Sequence, residues 1–462
     1  METIHVKTVD PISQDLLVDA AGRGIDLNWE RHEKQQPQDG FHRAGLSCPY
    51  GCMDGPCRID PFGRGADRGS CGLDRDAMVA ATLLRLSLSG ALEALAGAPE
   101  NSPAWSGPLG NAAGAAAAKL GGGTVSASET FAAAAALRRP GEAPGELIRR
   151  ALRLGLLTLG ATNTTAAEGP CAAGYGVLAG NDAVIGVTGT PSAGLAAELA
   201  AADGVTAVSL GEWIAVGAGF LPFACTSGEA ELTLSSGRID LVVRGAGSDP
   251  AVATLCTALG IPVVVANGKS DAAGIAAAAK ESRGSGAPSA FAPDAGAAGA
   301  CTIHSAAALK KAVGESGLAL IGGADSPAQP LGWIASEVAP ALRANDLSVA
   351  AWGDAAVWLL KAGQATGGGV IAGPQTAIAA DLVDSIRGVC FTGLKDCRDV
   401  ATALGLATLG LRVCVATPLP LWGSKAVMIE LSTALAGTGG SLTHFATPPG
   451  ANAILEWFTG DE

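Results

Sequence analysis

Several features that define common protein classes are absent from this sequence. No uninterrupted apolar run reaches the ~18 residues that a membrane-spanning helix needs, so we expect no membrane span. The opening METIHVKTVD lacks the apolar core of an export signal, which favours a reducing cytoplasm and argues against disulfides. The net charge of −13 argues against a nucleic-acid partner. Neither a G-x-G-x-x-G turn opening a helix nor a G-x4-G-K-[ST] loop occurs, so nucleotide binding has no support.

The most informative feature that is present is a group of four cysteines near the amino terminus. They stand in LSCPYGCMDGPCRIDPFGRGADRGSCGLD with the spacing C-x3-C-x4-C-x13-C, and they are Cys48, Cys52, Cys57 and Cys71. Four thiolates from one short loop can hold a cubane [4Fe–4S] cluster. The glycines of this segment allow the backbone to turn sharply between ligands. The sequence therefore predicts an electron-handling protein with one [4Fe–4S] cluster bound by these four residues.

Zinc and disulfides are the competing interpretations of the four cysteines. Tetrahedral zinc sites commonly use two short C-x(2–4)-C pairs separated by a longer loop. Here one short pair is followed by single cysteines, which favours the cluster. Four unrelated buried thiols would not be expected in a polar loop rich in Gly and Pro.

The rest of the chain predicts an α/β fold. A helical amino-terminal domain with the cysteine loop (1–182) is followed by two doubly wound, Rossmann-like domains with parallel sheets (183–300 and 301–462). In the second domain, AVIGV, TAVSL, IDLVV and PVVVA alternate with alanine-rich helical stretches. LALIG, LSVAA, GVCFT and RVCVAT repeat the pattern in the third. Such β-α-β alternation indicates parallel strands covered by helices.

Local sequence resembles the anaerobic nickel–iron carbon monoxide dehydrogenases, to which the hybrid-cluster proteins are more distantly related. The segments VDPISQDLLVDAAGRGIDLNWERHEKQQPQDGF, GPCRIDPFG and GSCGLDRDAMVAATLLR resemble that family's amino-terminal segment, cubane loop and following helix. VATPLPLWGSKAVMIELSTALAGTGGSLTHFATPP resembles its last helical layer. The resemblance extends along nearly the whole chain, which is shorter than a typical member.

The resemblance implies that the four loop cysteines match the ligands of the family's electron-relay cubane. This chain has one extra residue between Cys48 and Cys52, which a bulge beside Gly51 could absorb. At the positions of the two cysteines that bind the family's second cluster on the dimer axis, this chain has Asp39 and Ser47. Loss of both thiolates argues against that axial cluster.

The resemblance also implies that the ligands of the family's nickel–iron–sulfur cluster are missing. GVTGTP (186–191) stands where a histidine is expected, and VSLGEW (208–213) where a cysteine pair is expected. The remaining ligand positions carry Gly247, Gly323, Asp354 and Lys395. Glycine has no ligand atom and lysine adds positive charge, so we expect no nickel–iron–sulfur cluster and no carbon monoxide site. Asp354 is predicted to cap the helix that follows it.

The other cysteines fall into two groups. Cys256, Cys390 and Cys414 lie in apolar segments and are interpreted as ordinary core thiols. Cys171, Cys225 and Cys397 lie in glycine-rich or polar loops, and Cys301 with His304 forms a C-x-x-H; these are the candidates for a rearranged site. His42, just before the cysteine loop, is interpreted as a solvent-exposed histidine.

Three functions are consistent with these observations. The main hypothesis is a carbon monoxide dehydrogenase-like protein that keeps the relay cubane and passes electrons within, or to, a larger iron–sulfur complex. The second is an active carbon monoxide dehydrogenase or hydroxylamine-reductase-like enzyme with a rearranged cluster. The third is a structural or assembly subunit in which the cubane only stabilises the helical domain. The resemblance also implies a homodimer, but the axial cluster that would bridge its subunits is expected to be missing, so the oligomeric state stays open.

Overall fold

The computed structural model describes most of the chain. The described residues are 6–35, 39–98, 101–105, 107–138, 141–162, 169–217, 219–267, 269–284, 291–297, 299–303, 306–314, 316–363, 370–371, 373–379 and 381–460. The chain divides into two compact units. The first unit consists of Met1–Gln35, Thr165–Thr376 and Leu455–Glu462, and the second of Gln36–Thr164 and Ala377–Ile454. Each unit combines segments from more than one of the three domains predicted from the sequence. The domain boundaries at residues 182/183 and 300/301 stay a prediction.

Helices and strands alternate along most of the chain. The described α-helices are α1 (Pro11–Gly22), α2 (Asn28–Lys34), α3 (Gly40–Arg43), α4 (Arg75–Gly97), α5 (Gly107–Lys119), α6 (Ser128–Arg138), α7 (Pro144–Ala161), α8 (Ala193–Ala200), α9 (Ala230–Ser235), α10 (Pro250–Leu259), α11 (Ala272–Glu281), α12 (Ala306–Val313), α13 (Ala339–Ala344), α14 (Gly353–Lys361), α15 (Gln375–Ala379), α16 (Cys397–Thr408), α17 (Lys425–Thr438) and α18 (Ala451–Thr459). The described strands are β1 (Gly169–Ala173), β2 (Ala183–Thr188), β3 (Val205–Leu210), β4 (Ala215–Val216), β5 (Gly219–Phe220), β6 (Phe223–Cys225), β7 (Leu241–Arg244), β8 (Val263–Val265), β9 (Gly299–Ile303), β10 (Leu318–Gly322), β11 (Ser348–Ala351), β12 (Ile386–Phe391), β13 (Arg412–Val415) and β14 (Ser441–His444).

The first unit is built on a seven-stranded sheet with the order β8-β7-β2-β3-β6-β1-β9. Neighbouring strands are parallel except at one edge, where β9 runs antiparallel to β1. Strand β2 is buried along its whole length, which explains its continuous apolar sequence. Helices α8 and α11 pack on this sheet through Leu195, Leu199 and Ile275. Strands β10 and β11 form a further parallel pair in this unit.

The second unit combines a helical layer with parallel strands. Strand β13 pairs in parallel with β12 and with β14. Helices α4, α7 and α16 pack closely because glycines face neighbouring backbone. A Cβ added to Gly90 would lie 2.1 Å from the carbonyl oxygen of Cys397, and one added to Gly405 would lie 2.4 Å from that of Gly155. The predicted α/β class with parallel sheets is confirmed.

Helix α4 is unusually long and apolar for a helix of this fold. Among the described residues it is the one helix whose length and apolar composition would suffice to cross a bilayer, and 67% of the relevant segment is buried inside the fold. Its packing against α7 and α16 shows that its apolar face belongs to the core of the second unit. Asp74 caps this helix by accepting a hydrogen bond from the N–H of Ala77 at 3.0 Å.

Candidate metal centre

The cysteine loop is anchored to the second unit at both ends. The N–H of Cys48 donates to the carbonyl of Cys57 at 2.8 Å, and the N–H of Ile59 donates to Leu46 at 3.1 Å. After Cys71 the chain turns through Gly72, whose φ of +84° is a conformation that glycine adopts at little cost, and enters α4. The loop is therefore held between a short two-stranded contact and the start of a core helix.

The four predicted ligands line one cavity of about 360 Å³ in the second unit. Cys48 and Cys57 are half-buried, whereas Cys52 and Cys71 are exposed. Tyr50, which belongs to the stretch with the extra residue, also lines the cavity and is buried. The structure thus brings all four sequence-predicted residues together despite the C-x3-C spacing.

The donor set and the shared cavity favour a cluster over a single ion. In the described part of the chain, no three His, Cys, Asp or Glu side chains are close enough together to hold one metal ion. A zinc site needs its four ligands about 2.0–2.3 Å from one ion. Four thiols around one cavity are the donor set of a [4Fe–4S] cluster, whose irons are each bound by one cysteine thiolate. The donor set and the cavity therefore fit a [4Fe–4S] cluster held by Cys48, Cys52, Cys57 and Cys71.

Local hydrogen bonds and burial make the loop thiols unequal. The hydroxyl of Ser70 lies 3.4 Å from Sγ of Cys57, and the N–H of Ser70 donates to the same sulfur at 3.3 Å. These contacts lower the pKa of the Cys57 thiol. Burial raises the pKa of Cys48 and raises the pKa of Tyr50 to about 12. Cys57 is consequently the thiol whose anionic, metal-binding form the protein itself favours.

The two residues that stand where axial-cluster cysteines are expected have other roles in this chain. Asp39 caps α3 by accepting a hydrogen bond from the N–H of Phe41 at 2.9 Å, and it forms an ion pair with Arg58 at 2.8 Å. Ser47 makes an isolated β-bridge with the same arginine. His42 is exposed, in agreement with its interpretation as a solvent-facing residue.

Two segments that stand where nickel-cluster ligands are expected contain glycines closely approached by backbone of the first unit. In GVTGTP, Gly189 has φ +69°, and a Cβ there would lie 2.6 Å from the carbonyl oxygen of Ala246. In VSLGEW, Gly211 has φ +95°, and a Cβ there would lie 2.4 Å from the N atom of Ser227. Gly247 and Gly323 also have positive φ, at +72° and +92°. Both segments are therefore packed against neighbouring backbone at a glycine, and neither contains a histidine or a cysteine.

Asp354 binds two loops of the first unit rather than capping its own helix. The N-cap position of α14 is Trp352, so the predicted capping role is wrong. The Asp354 carboxylate instead accepts hydrogen bonds from the N–H of Ser227 at 2.8 Å, the hydroxyl of Ser227 at 2.5 Å and the N–H of Asp325 at 2.8 Å. Lys395 lies in the second unit, where its N–H donates to Asp399 at 3.0 Å.

Among the described residues, the candidates for a rearranged site form no group of three or more metal ligands. Cys171 and Cys225 are buried in strands of the first unit, and burial strongly raises the pKa of Cys225. The sheet places Cys171 opposite Cys301 in the β1–β9 register, but His304 lies outside the described residues. Cys397 begins α16 in the second unit, where burial raises its pKa.

Two arrangements in the structure were not anticipated from the sequence. The first is a buried charge network in the first unit, in which the Nζ atom of Lys361 lies 2.7 Å from Asp10 and 2.8 Å from Glu229. The second is the pairing of Cys390 with Cys414 across β12 and β13. The sequence contained one indication of this pair, because the predicted strands GVCFT and RVCVAT both carry a cysteine directly after a valine. The network had no comparable signal, because its residues are separated by hundreds of positions.

The chain was compared with known proteins by sequence and by structure. No protein-family profile matches it. Carbon monoxide dehydrogenase 1 of Methanosarcina mazei is 48% identical over 90 residues, which are 20% of this chain and 14% of that protein. The carbon monoxide dehydrogenase of Rhodospirillum rubrum is 49% identical over 81 residues, which are 18% of this chain and 12% of that protein. The sequence matches thus span less than a sixth of the length of these curated relatives.

Solved structures extend the likeness to the whole fold. Carbon monoxide dehydrogenase IV from Carboxydothermus hydrogenoformans superposes with a TM-score of 0.78 at 19% identity, covering 98% of this chain and 99% of that one. The carbon monoxide dehydrogenase from Thermococcus sp. AM4 gives a TM-score of 0.77 at 18% identity, covering 99% of this chain and 98% of that one. This chain is thus similar in sequence to carbon monoxide dehydrogenases over about a fifth of its length, and it shares the fold of their solved structures.

Proposed function

We propose that this chain is a carbon monoxide dehydrogenase-like iron–sulfur protein that relays electrons through one [4Fe–4S] cluster and does not oxidise carbon monoxide. The observation that carries the proposal is the single cavity lined by Cys48, Cys52, Cys57 and Cys71. A cluster bound there would accept and donate electrons one at a time.

The chain's own residues would set the properties of this centre. The four thiolates would hold the irons, and the exposure of Cys52 and Cys71 would leave one side of the centre accessible to a redox partner. Ser70 would donate hydrogen bonds to Cys57, and the buried ring of Tyr50 would limit the access of water on its side of the cavity. We infer that the partner is another redox protein or a larger iron–sulfur complex in the cytoplasm. A homodimer of this chain is also compatible with the proposal.

The absence of carbon monoxide chemistry is supported by the residues at the former ligand positions. The segments 186–191 and 208–213 contain neither histidine nor cysteine, and Gly247 and Gly323 supply no side-chain ligand atom. The carboxylate of Asp354 is already engaged by Ser227 and Asp325. A nickel–iron–sulfide cluster needs several thiolates to bind its irons and balance their charge, and this chain does not supply them at these positions.

Anaerobic reconstitution with iron and sulfide tests the proposal. We expect about four irons and four sulfides per chain, with a brown colour that reducing agents bleach. Cys57→Ala should lose most of the iron, whereas the matched variant Cys256→Ala, which removes a buried thiol of the first unit, should retain it. A colourless wild-type protein that binds only zinc would refute the cluster.

The two alternative functions give different results in the same preparation. Loading with nickel followed by viologen reduction that depends on carbon monoxide would favour the enzyme with a rearranged cluster; we expect none. A cluster that cannot be reduced and reoxidised reversibly at potentials reached by cellular iron–sulfur proteins would favour the structural subunit.

A further inference from the structure

Cys390 and Cys414 face each other in the second unit. They are partners in the parallel register of β12 and β13, between the pairs Val389–Val413 and Phe391–Val415. Neighbouring strands lie about 4.8 Å apart, and disulfides join residues whose Cα atoms are about 4.4–6.8 Å apart. Residues in register on adjacent strands also project to the same face of the sheet. The backbone thus places the two thiols at a separation that a disulfide can span.

The two side chains are also isolated from other reagents. Both residues are fully buried, at 0% exposure. The neighbouring Cys414 thiol, together with burial, keeps the pKa of Cys390 well above its usual value. Neither residue belongs to the cysteine loop at 48–71. Each thiol therefore has its neighbour as the nearest reaction partner, and a reagent reaches either thiol only when the strands open locally.

We propose that Cys390 and Cys414 form a dithiol site that a small disulfide compound oxidises to an intramolecular disulfide. One protein thiol, as its thiolate, attacks the small disulfide and releases one small thiol, which leaves a mixed disulfide. The second protein thiolate attacks this mixed disulfide, forms the Cys390–Cys414 bond and releases the other small thiol. The protein loses two electrons and two protons, and the small disulfide is reduced to two thiols. This site is independent of the metal centre.

Burial and protonation determine how fast the reaction runs. Exchange requires a thiolate and access to it, so local opening of the strands must precede the first attack. We expect the folded protein to form the bond over hours. Once formed, the disulfide would tie β12 to β13 and constrain the unfolded chain, so the oxidised protein should have a higher Tm than the reduced one.

Peptide mapping provides the test. The folded protein is incubated with oxidised glutathione, its remaining thiols are alkylated in denaturant, and it is digested with trypsin. Cleavage after Arg387, Lys395, Arg412 and Lys425 gives two peptides, 388–395 and 413–425, each with one cysteine. We expect these two peptides to be recovered as one disulfide-linked species that a reductant separates. Circular dichroism recorded before denaturation establishes that the protein stayed folded.

Two variants make the assignment specific. Cys390→Ala should abolish the linked species, and Cys256→Ala, which removes a buried thiol without a strand partner of this kind, should leave it unchanged. Recovery of the two peptides only as separately alkylated or glutathionylated species would overturn the proposal. So would linkage of Cys390 to a different cysteine, or linkage that forms only after the circular dichroism signal is lost.

Discussion

Ser70 contacts the sulfur of Cys57 with both its backbone N–H, at 3.3 Å, and its hydroxyl group, at 3.4 Å. The two residues are separated by 13 positions. The loop closes so that Ser70 faces Cys57, the third predicted ligand, rather than Cys71, its neighbour in sequence and the fourth. Hydrogen bonds to cysteine sulfur stabilise negative charge there, which favours the reduced state of an iron–sulfur cluster. This relationship leads to the first prediction.

Ser70→Ala should lower the reduction potential of the reconstituted cluster, because one of the two hydrogen bonds to Cys57 is lost. In the cluster-free protein the same change should raise the pKa of Cys57, which the hydroxyl now lowers. Redox titration and the pH dependence of alkylation at Cys57 measure the two effects. Ser70→Thr keeps the hydroxyl and serves as the control. An unchanged potential with full iron content would contradict the role of the hydroxyl.

Lys361→Met should destabilise the first unit strongly. The ammonium group is buried between the carboxylates of Asp10 and Glu229, at 2.7 and 2.8 Å, and lies 4.3 Å from the ring centre of Trp358. Although burial lowers the pKa of Lys361, the two carboxylates raise it overall, so the group is charged. Removing it leaves two buried negative charges uncompensated, which typically costs about 3–5 kcal/mol.

Denaturant unfolding measures the effect of Lys361→Met. The exposed Lys269→Met should change the free energy of unfolding by less than about 0.5 kcal/mol. Combining Lys361→Met with Glu229→Gln should recover part of the loss, because one of the buried charges is then removed. Equal stability of the two lysine variants would show that the network does not contribute.

Asp325→Asn should make stability less dependent on pH. Burial and the neighbouring charge of Asp354 raise the pKa of Asp325 well above its usual 3.8. Above pH 3.8 the unfolded chain releases this proton while the folded chain keeps it, so wild-type stability decreases as pH rises through this window. The asparagine cannot ionise, and it can still accept the hydrogen bond that the Trp358 indole now donates at 3.0 Å.

Unfolding measured at pH 5 and pH 8 tests this prediction. The difference in the free energy of unfolding between the two pH values should be smaller in Asp325→Asn than in the wild type. Asp381→Asn, at an exposed residue with φ +59°, is the matched control and should retain the wild-type pH dependence. A wild-type dependence in Asp325→Asn would mean that the carboxyl group is ionised in the folded protein.

Gly90→Ala should destabilise the second unit, because the added methyl would lie 2.1 Å from the carbonyl oxygen of Cys397, and backbone must move to make room. Such overpacking typically costs about 1–3 kcal/mol. The same substitution at Gly114, which lies inside α5 with no heavy atom within 4 Å of the added position, should instead stabilise by up to about 1 kcal/mol. In thermal unfolding, we expect Gly90→Ala to lower the Tm and Gly114→Ala to raise it. Equal changes in Tm would contradict the close packing of α4 with α16.

The sequence by itself determined the regular elements and the loop that carries the cysteines. All eight strands predicted from apolar runs are present, because buried parallel strands need continuous apolar sequence. Six described strands, β1, β4, β5, β6, β9 and β14, were not predicted, since they are short and defined by the strands beside them. The four loop cysteines were predicted from spacing alone because all of them lie within 24 consecutive residues.

Only the tertiary structure decided which distant residues meet. Asp10, Glu229 and Lys361 are far apart in the chain, and their contact depends on how strands and helices of the first unit are arranged. The same holds for Cys390 and Cys414, whose side chains face each other only because β12 and β13 pair in one particular register. A local pattern specifies a helix, a strand or a ligand loop, whereas the pairing of side chains separated by tens or hundreds of residues follows from packing, which no short segment encodes.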